Sequence, residues 1–455
     1  MGDGVRAAAR RSRAATRPVV SRDRAHLRSA LAARGRPGAT SLSGHRPAGA
    51  GTGTGAHRLR LFARASVHRA ATRRSGGRQG GGGMTVSPTL ERLPRISRPS
   101  TTPLLRSIGT AVPHIRIGQD ELIDELASLW ELSRTRRERW ARLCRASGIQ
   151  QRYGTRPPRE VFSLPTSARM DIFAEEAPPL AMEAADRAIR DAGINASDVT
   201  DLIVVSCTGF SAPGLDVALI ERLGLSGNVR RTMIGYMGCF GAITGLRSAI
   251  GACAADPDAC ALVVCCELCS LHLRDDQSME NQVATSLFGD GAAAVIVTGS
   301  PSEELNGAAS GPPSLGRLAL GATKLLPEGR DWMSWRITDA GFAMTLSKRV
   351  PEALEATIAS FVEDHFDRIG LAGYCVHPGG PGILDAVQRG LSLPNEDALR
   401  SARTVLCEKG NMSSGTVLFV LEEAMRAGEP LPTLLLAFGP GLTIEALPIL
   451  PATAQ

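Results

Sequence analysis

The sequence predicts an α/β protein made of two similar halves, and three features carry that prediction. From Thr85 onward, stretches with helical apolar periodicity alternate with short continuous apolar runs. Runs such as "DLIVVSC" and "CALVVCCE" have the length of strands and no polar face, which is the pattern of parallel strands buried on both sides. A unit of glycine, polar residue, helix and strand then occurs twice. At 455 residues the chain also exceeds what a single core usually fills.

Residues 1–83 come first and stand apart. They hold 18 Arg, no Lys and two acids, a segment charge of +16 against +7 for the whole chain, which leaves +7 − 16 = −9 for the remainder. The basic character therefore belongs to this Ala/Gly/Arg-rich stretch, and a nucleic-acid function inferred from total charge would rest on the wrong segment. Its composition predicts a disordered tail. It fits an organelle transit peptide, or an upstream extension of a protein that begins at Met84.

In the body, "PPLAMEAADRAIRDAG" (178–193) reads as a helix stopped by Gly193, 201–207 as a buried strand, "GLDVALIERLG" as a helix, and "CALVVCCE" and "AAAVIVTG" as strands. A second block from about 311 supplies the helix "RVPEALEATIASFVEDHFDRIG", the short strand "GYCVH", the helix "GPGILDAVQRGL" and the strands "TLLLAF" and "LTIEALPIL". The predicted division is a tail of 1–83, a first half of 84–310 and a second half of 311–455. In the first half, Gly238-Cys239 opens a small-residue helix and the strand "CALVVC" begins 21 residues after Cys239. In the second, Gly410-Asn411 precedes "MSSGTVLFVLEEAMRAG" and the strand "TLLLAF" begins 22 residues after Asn411. A duplication of this kind brings the two helix starts together.

All ten cysteines lie in the body, several within strand-like runs, which predicts reduced thiols and a cytoplasmic setting. Cys266 and Cys269 form a C-x-x-C with no second ligand pair, so no zinc site is expected. No apolar run reaches the roughly 18–20 residues of a bilayer span. Aromatic residues at 4% argue against a stacking platform for single-stranded nucleic acid.

Cys239 could be a small buried core residue, or a nucleophile whose thiol pKa a helix N-terminus lowers. His377 ends a strand just before "PGGPG", at the strand edge where α/β proteins place their chemistry, and Asn411 sits at a helix start where it could also be a simple cap. Together they supply a thiolate that accepts an acyl group from a thioester. The imidazole and amide then hold a second thioester carbonyl while malonyl loses carbon dioxide. No metal or redox cofactor is needed.

The blocks "CTGFSAPGLD", "GYMGCFGAITGLR", "LFGDGAAAVIV", "VHPGGPGILDAV", "EKGNMSSGTVLFVLEEA" and "AFGPGLTIEA", in that order, resemble the type III polyketide synthases, the chalcone-synthase-like members of the thiolase superfamily. The resemblance covers about 100–450. It implies a thiolase-like duplicated αβαβα five-layer fold, a homodimer, malonyl-CoA and acyl-CoA substrates, and a buried cavity fed by a tunnel. It also implies Cys239 as the acyl acceptor, with His377 and Asn411 as the decarboxylation and oxyanion pair. Phe288 becomes the aromatic gate, Arg139 and Arg142 hold the coenzyme A phosphate, Gly379 and Gly380 lie along the pantetheine arm, and Ser413 belongs to the cavity floor. The family's third basic position is Ala146 here, with Arg145 beside it. Trp335 and Met344 stand where plant members have small residues, with Cys207, Cys269 and His272 at other wall positions. This resembles bacterial members that take fatty acyl starters and form alkylpyrones or alkylresorcinols. The rival expectations are a ketoacyl-ACP synthase III type making one extension, a type III synthase with a short or aromatic starter, a catalytically silent acyl-CoA binder, and a nucleic-acid arm at 1–83.

Overall fold

The structure is a computed structural model that describes residues 102–299 and 313–452; the tail 1–83 and the expected junction near 310 lie outside them. The first part runs β1 (Leu104–Ala111), β2 (Ile115–Gly118), α1 (Gln119–Leu129), α2 (Arg134–Ala146), β3 (Gln151–Gly154), α3 (Pro158–Val161), α4 (Thr166–Ala192), β4 (Asp201–Ser206) and α5 (Leu215–Leu223). It continues with β5 (Arg230–Gly235), α6 (Gly241–Ala255), β6 (Cys260–Leu268), α7 (Met279–Leu287) and β7 (Asp290–Thr298). The second part holds β8 (Gly316–Leu318), β9 (Ala322–Leu325), β10 (Met333–Thr338), β11 (Gly341–Leu346), α8 (Val350–Phe366) and β12 (Gly373–Val376). It ends with α9 (Pro381–Gly390), α10 (Arg400–Lys409), α11 (Thr416–Arg426), β13 (Thr433–Gly439) and β14 (Thr443–Leu450).

Ten strands join in one sheet, ordered β12-β13-β14-β8-β1-β7-β6-β4-β5 with β9 paired to β14. This is the mixed α/β, thiolase-like arrangement. The apolar runs are buried on both faces because their alternate residues enter different cores. Ile203, Val205, Val263 and Cys265 pack with α6 and α11 on one side, and Leu202, Val204, Leu262 and Val264 pack with α4 and α5 on the other.

Strand direction departs from the all-parallel expectation. β4 pairs in parallel with β5 and β6, and β12 with β13, but β6–β7, β1–β7 and β13–β14 are antiparallel. For β13 and β14 the cause is the connection: Pro440–Leu442 is too short for the crossover that parallel strands need. The repeated motif is therefore a parallel pair followed by an antiparallel neighbour, β4–β6–β7 and β12–β13–β14.

The helix expected at 178–193 extends back to Thr166, with Pro178 and Pro179 inside it. A proline pair usually marks a first turn. Here the preceding turns are held by tertiary contacts, including Arg169, which is fully buried and donates to the carbonyls of Leu164, Leu271 and Leu273. α6 packs against β4, β6 and β7 on one side and reaches β14 on the other. There Arg247 donates to the buried Glu445 at 2.8 Å.

Candidate active site

The two helix starts meet. A short 3-10 turn, Gly238–Phe240, leads into α6, and a second, Ser413–Gly415, leads into α11. Both turns open on a left-handed residue, Gly238 at φ 70° and Ser413 at φ 48°. Glycine is required at the first, because a Cβ there would stand 2.4 Å from Pro440 Cδ. The backbone thus pairs Cys239 with Ser414, and Asn411 lies just upstream of its turn instead of occupying the position equivalent to Cys239.

Cys239 is buried, with Sγ 4.0 Å from Ser413 Oγ. The thiol was expected to be acidified by a helix end, and the structure reverses this. Burial pushes its pKa up to about 12, with Ser413 and Asn411 pulling down and the Glu267 charge adding to the rise. The residue sits in the turn before α6, in an apolar setting, so loss of solvent outweighs the dipole.

His377 extends the β12–β13 pairing by donating its N–H to Leu436 O at 2.7 Å. Its ring is buried and neither ring nitrogen has a protein hydrogen-bond partner among the described residues. Burial lowers its pKa to about 3, so the imidazole is neutral. Asn411 is clamped through its backbone, its N–H to Leu287 O and its carbonyl to Gly289 N, each at 2.9 Å. Its Oδ1 accepts from Ser413 N at 2.8 Å and Thr416 Oγ1 at 3.4 Å, which leaves the amide nitrogen, directed at the Cys239 thiol, as the end that can donate into the cavity.

Cys239, His377, Asn411 and Phe288 line one apolar cavity of about 360 Å³, along with Gly379 and Gly380. Behind Phe288 lies a smaller compartment of about 60 Å³ lined by Cys269, His272, Trp335 and Phe342, and both spaces share Phe288 and Met344. Trp335 and Met344 are cross-strand partners in the β10–β11 hairpin, and the Trp335 ring lies 5.6 Å from that of Phe288. His272 is fully engaged: Nε2 bonds Thr208 O at 2.7 Å, Nδ1 accepts from Phe342 N at 3.3 Å, and the ring stacks on Phe342 at 3.8 Å. Burial lowers its pKa to about 4. Cys207 lines neither space; its sulfur accepts from Gly238 N at 3.1 Å and so holds the nucleophile turn. Burial raises the thiols of both Cys207 and Cys269.

At the mouth, Leu143 and Ala146 of α2 and Ser147 just after it border the larger cavity. Arg139 and Arg142 are exposed one helical turn before Leu143 and Ala146, on the same stripe. Among the described residues neither has an ion-pair partner, whereas Arg134, Arg137 and Arg145 pair with Glu138, Asp124 and Asp120. Arg145 is thus directed to α1 and does not replace the cation missing at Ala146. Lys348 lines the same mouth and went unnoticed in the sequence.

Glu267 was also missed. It is fully buried at the end of β6, accepts from Cys207 N at 3.0 Å and Thr208 Oγ1 at 2.7 Å, and is bonded by Ser414 Oγ. Burial pushes its carboxyl above the usual range. Its signal was available as the one acid in the apolar run "CALVVCCEL".

Residues 94–301 match the N-terminal domain of chalcone and stilbene synthases, and 317–451 match the C-terminal domain. Among solved structures the chain is similar to PKS-I from the brown alga Ectocarpus siliculosus, with 30% identity, a TM-score of 0.71, 78% of this chain covered and 100% of that one. It is also similar to the C-terminal type III polyketide synthase domain of Steely1, a type I/III hybrid from Dictyostelium, with 27% identity, a TM-score of 0.71, and coverage of 77% and 100%. The chain belongs to the chalcone and stilbene synthase family and is a type III polyketide synthase.

Proposed function

We propose that the protein condenses malonyl-CoA repeatedly onto a fatty acyl-CoA starter and cyclises the chain to an alkylpyrone or alkylresorcinol. The observation that carries this reading is the cavity of about 360 Å³ in which the Cys239 thiol, the two unpartnered nitrogens of His377 and the amide of Asn411 share an apolar enclosure. Cys239 attacks the starter thioester as its S–H proton is lost, and that proton leaves on the displaced thiolate as CoA-SH. Malonyl-CoA then loses carbon dioxide, and the resulting thioester enolate oxygen is held by N–H groups of His377 and Asn411. The enolate carbon attacks the Cys239-bound acyl carbonyl and expels the Cys239 thiolate, giving a CoA thioester two carbons longer that can reload. Arg139, Arg142 and Lys348 would hold the coenzyme A phosphates, with Gly379 and Gly380 along the arm.

The apolar walls Val283, Leu287, Leu346 and Ile383 support a fatty acyl starter. The small rear compartment, lined by Trp335, favours few extensions. Two copies are expected to associate, because β5 is an exposed edge strand and Met233 within it and Tyr236 just after it are exposed, as is Phe210 in the loop after β4. The set of free thiols suits a reducing compartment such as the cytoplasm. The test is mass spectrometry of products from malonyl-CoA with starters from acetyl to stearoyl and one aromatic starter. Alkylpyrones or resorcinols, best with long chains, support the reading. Products from short or aromatic starters alone overturn the starter class, and a single extension with carrier-bound malonyl moves the protein to the ketoacyl-ACP synthase III reaction.

A further inference from the structure

Arg152 on β3 is 3% exposed and carries a charge that no acid pairs among the described residues. Burial lowers its pKa to about 10, so it stays cationic near neutrality. A buried charge without a counter-ion costs several kcal/mol unless hydrogen bonds and fixed dipoles replace water. Here a helix end does so. Nη1 donates to the carbonyls of Thr285 at 2.9 Å and Phe288 at 3.0 Å, and Nη2 to Ser286 O at 2.7 Å. Thr285 and Ser286 carry the last carbonyls of α7 and Phe288 caps it; such carbonyls have no partner within the helix and form its negative pole. Nη2 also donates to Gln119 Oε1, and Gln119 Nε2 in turn donates to Cys144 O at 2.8 Å and Ser147 Oγ at 3.0 Å, at the end of α2.

The clamped segment is the one that sets the site. Leu287 O and Gly289 N flank Phe288 and bond the backbone N–H and carbonyl of Asn411. Two glycines permit this closeness: a Cβ at Gly289 would stand 3.2 Å from Arg152 Cβ, and one at Gly410, where φ is 73°, 3.0 Å from Leu287 O. Arg152 therefore fixes from behind both the aromatic between the two cavities and the backbone of Asn411.

We propose that Arg152 is a positioning residue for the decarboxylation and extension half of the reaction, separate from acyl loading on Cys239; this rests on the function proposed above. Cys239 is carried by the Gly238–Phe240 turn, which Arg152 does not touch, while the Asn411 amide depends on the α7 end.

Arg152→Lys keeps the charge and loses the fork. Acylation of Cys239, read by intact-protein mass, should stay within about twofold, while carbon dioxide release from saturating malonyl-CoA falls about tenfold or more, as sub-ångström misplacement of a catalytic group does. The change should appear in kcat with KM for malonyl-CoA little altered, and products should shorten. Gly289→Ala moves the same joint without touching the charge and should reproduce the pattern in weaker form, which keeps the test open if the lysine variant fails to fold. Equal loss of both half-reactions, or unchanged carbon dioxide release in both variants, overturns the proposal. Absence of carbon dioxide release from the wild type would instead sink the underlying function.

Discussion

His377 and His272 are both buried and both held neutral, yet they stand in opposite kinds of surroundings. His272 has a partner for each nitrogen and an aromatic ring against its face, so its polarity is spent on holding Thr208 and the β11 end. His377 has no partner for either nitrogen and faces a large apolar cavity. Buried polar atoms without partners are rare, since each costs about 1–3 kcal/mol. At His377 both nitrogens are left to whatever fills the cavity, water or substrate. Residue type and burial do not separate the two histidines; hydrogen-bond satisfaction does.

The contrast can be broken at several points. The largest effect should come from the nucleophile that shares the His377 cavity. Cys239→Ala is expected to abolish the acyl adduct seen by intact-protein mass after incubation with acyl-CoA, while some carbon dioxide release from malonyl-CoA persists. Full-length product from this variant would remove Cys239 from the mechanism. His377→Gln should come next, lowering decarboxylation by about 10²-fold, as loss of an oxyanion donor does, with no drop in melting temperature because no protein hydrogen bond is lost. A destabilised but active His377→Gln protein would place this histidine with His272.

The same change at the other histidine should invert the outcome. His272→Gln breaks two buried bonds and a stacking contact, so a loss of about 2 kcal/mol in denaturant unfolding is expected, with decarboxylation falling far less than in His377→Gln. The smallest effect is in pH. His272 has a folded pKa of about 4, below the ordinary value of 6.5, so the stabilising neutral state is fully present above pH 6.5 and is lost as pH falls toward 4. The stability difference between wild type and His272→Gln should therefore shrink by about 1 kcal/mol between pH 7 and pH 5.5. A constant difference would mean that His272 is already accessible to protons.

Much of this site was legible in the sequence because its backbone is unusual. Cys239 and Asn411 each follow a glycine of positive φ, Gly238 and Gly410, and His377 stands two residues before the Gly379-Gly380 pair. The groups that hold the site were not legible. Arg152 binds carbonyls more than 130 residues away, through contacts to main chain that leave no mark on the partner side chains. Glu267 was hidden in a strand by its apolar neighbours. The acidity expected of Cys239 failed for a related reason: a local motif shows the helix dipole but not the desolvation created by distant walls. Strand direction was obscured likewise, since an apolar run reads the same whichever way its neighbour points.

α6 is the one helix among the described residues apolar and long enough to pass for a membrane span, counted from Gly238 to Ala255, and it is mostly buried within the fold. Its two coverings are separated in synthesis. β4 precedes it on the ribosome, but β14, which brings Glu445 to Arg247, ends at Leu450. At about 5–20 residues per second, the intervening chain takes roughly 10–40 s to make, and for that interval one side of the helix that carries the nucleophile waits without its lid. The strand that shelters the reaction in the finished enzyme is thus among the last parts of the chain to be made.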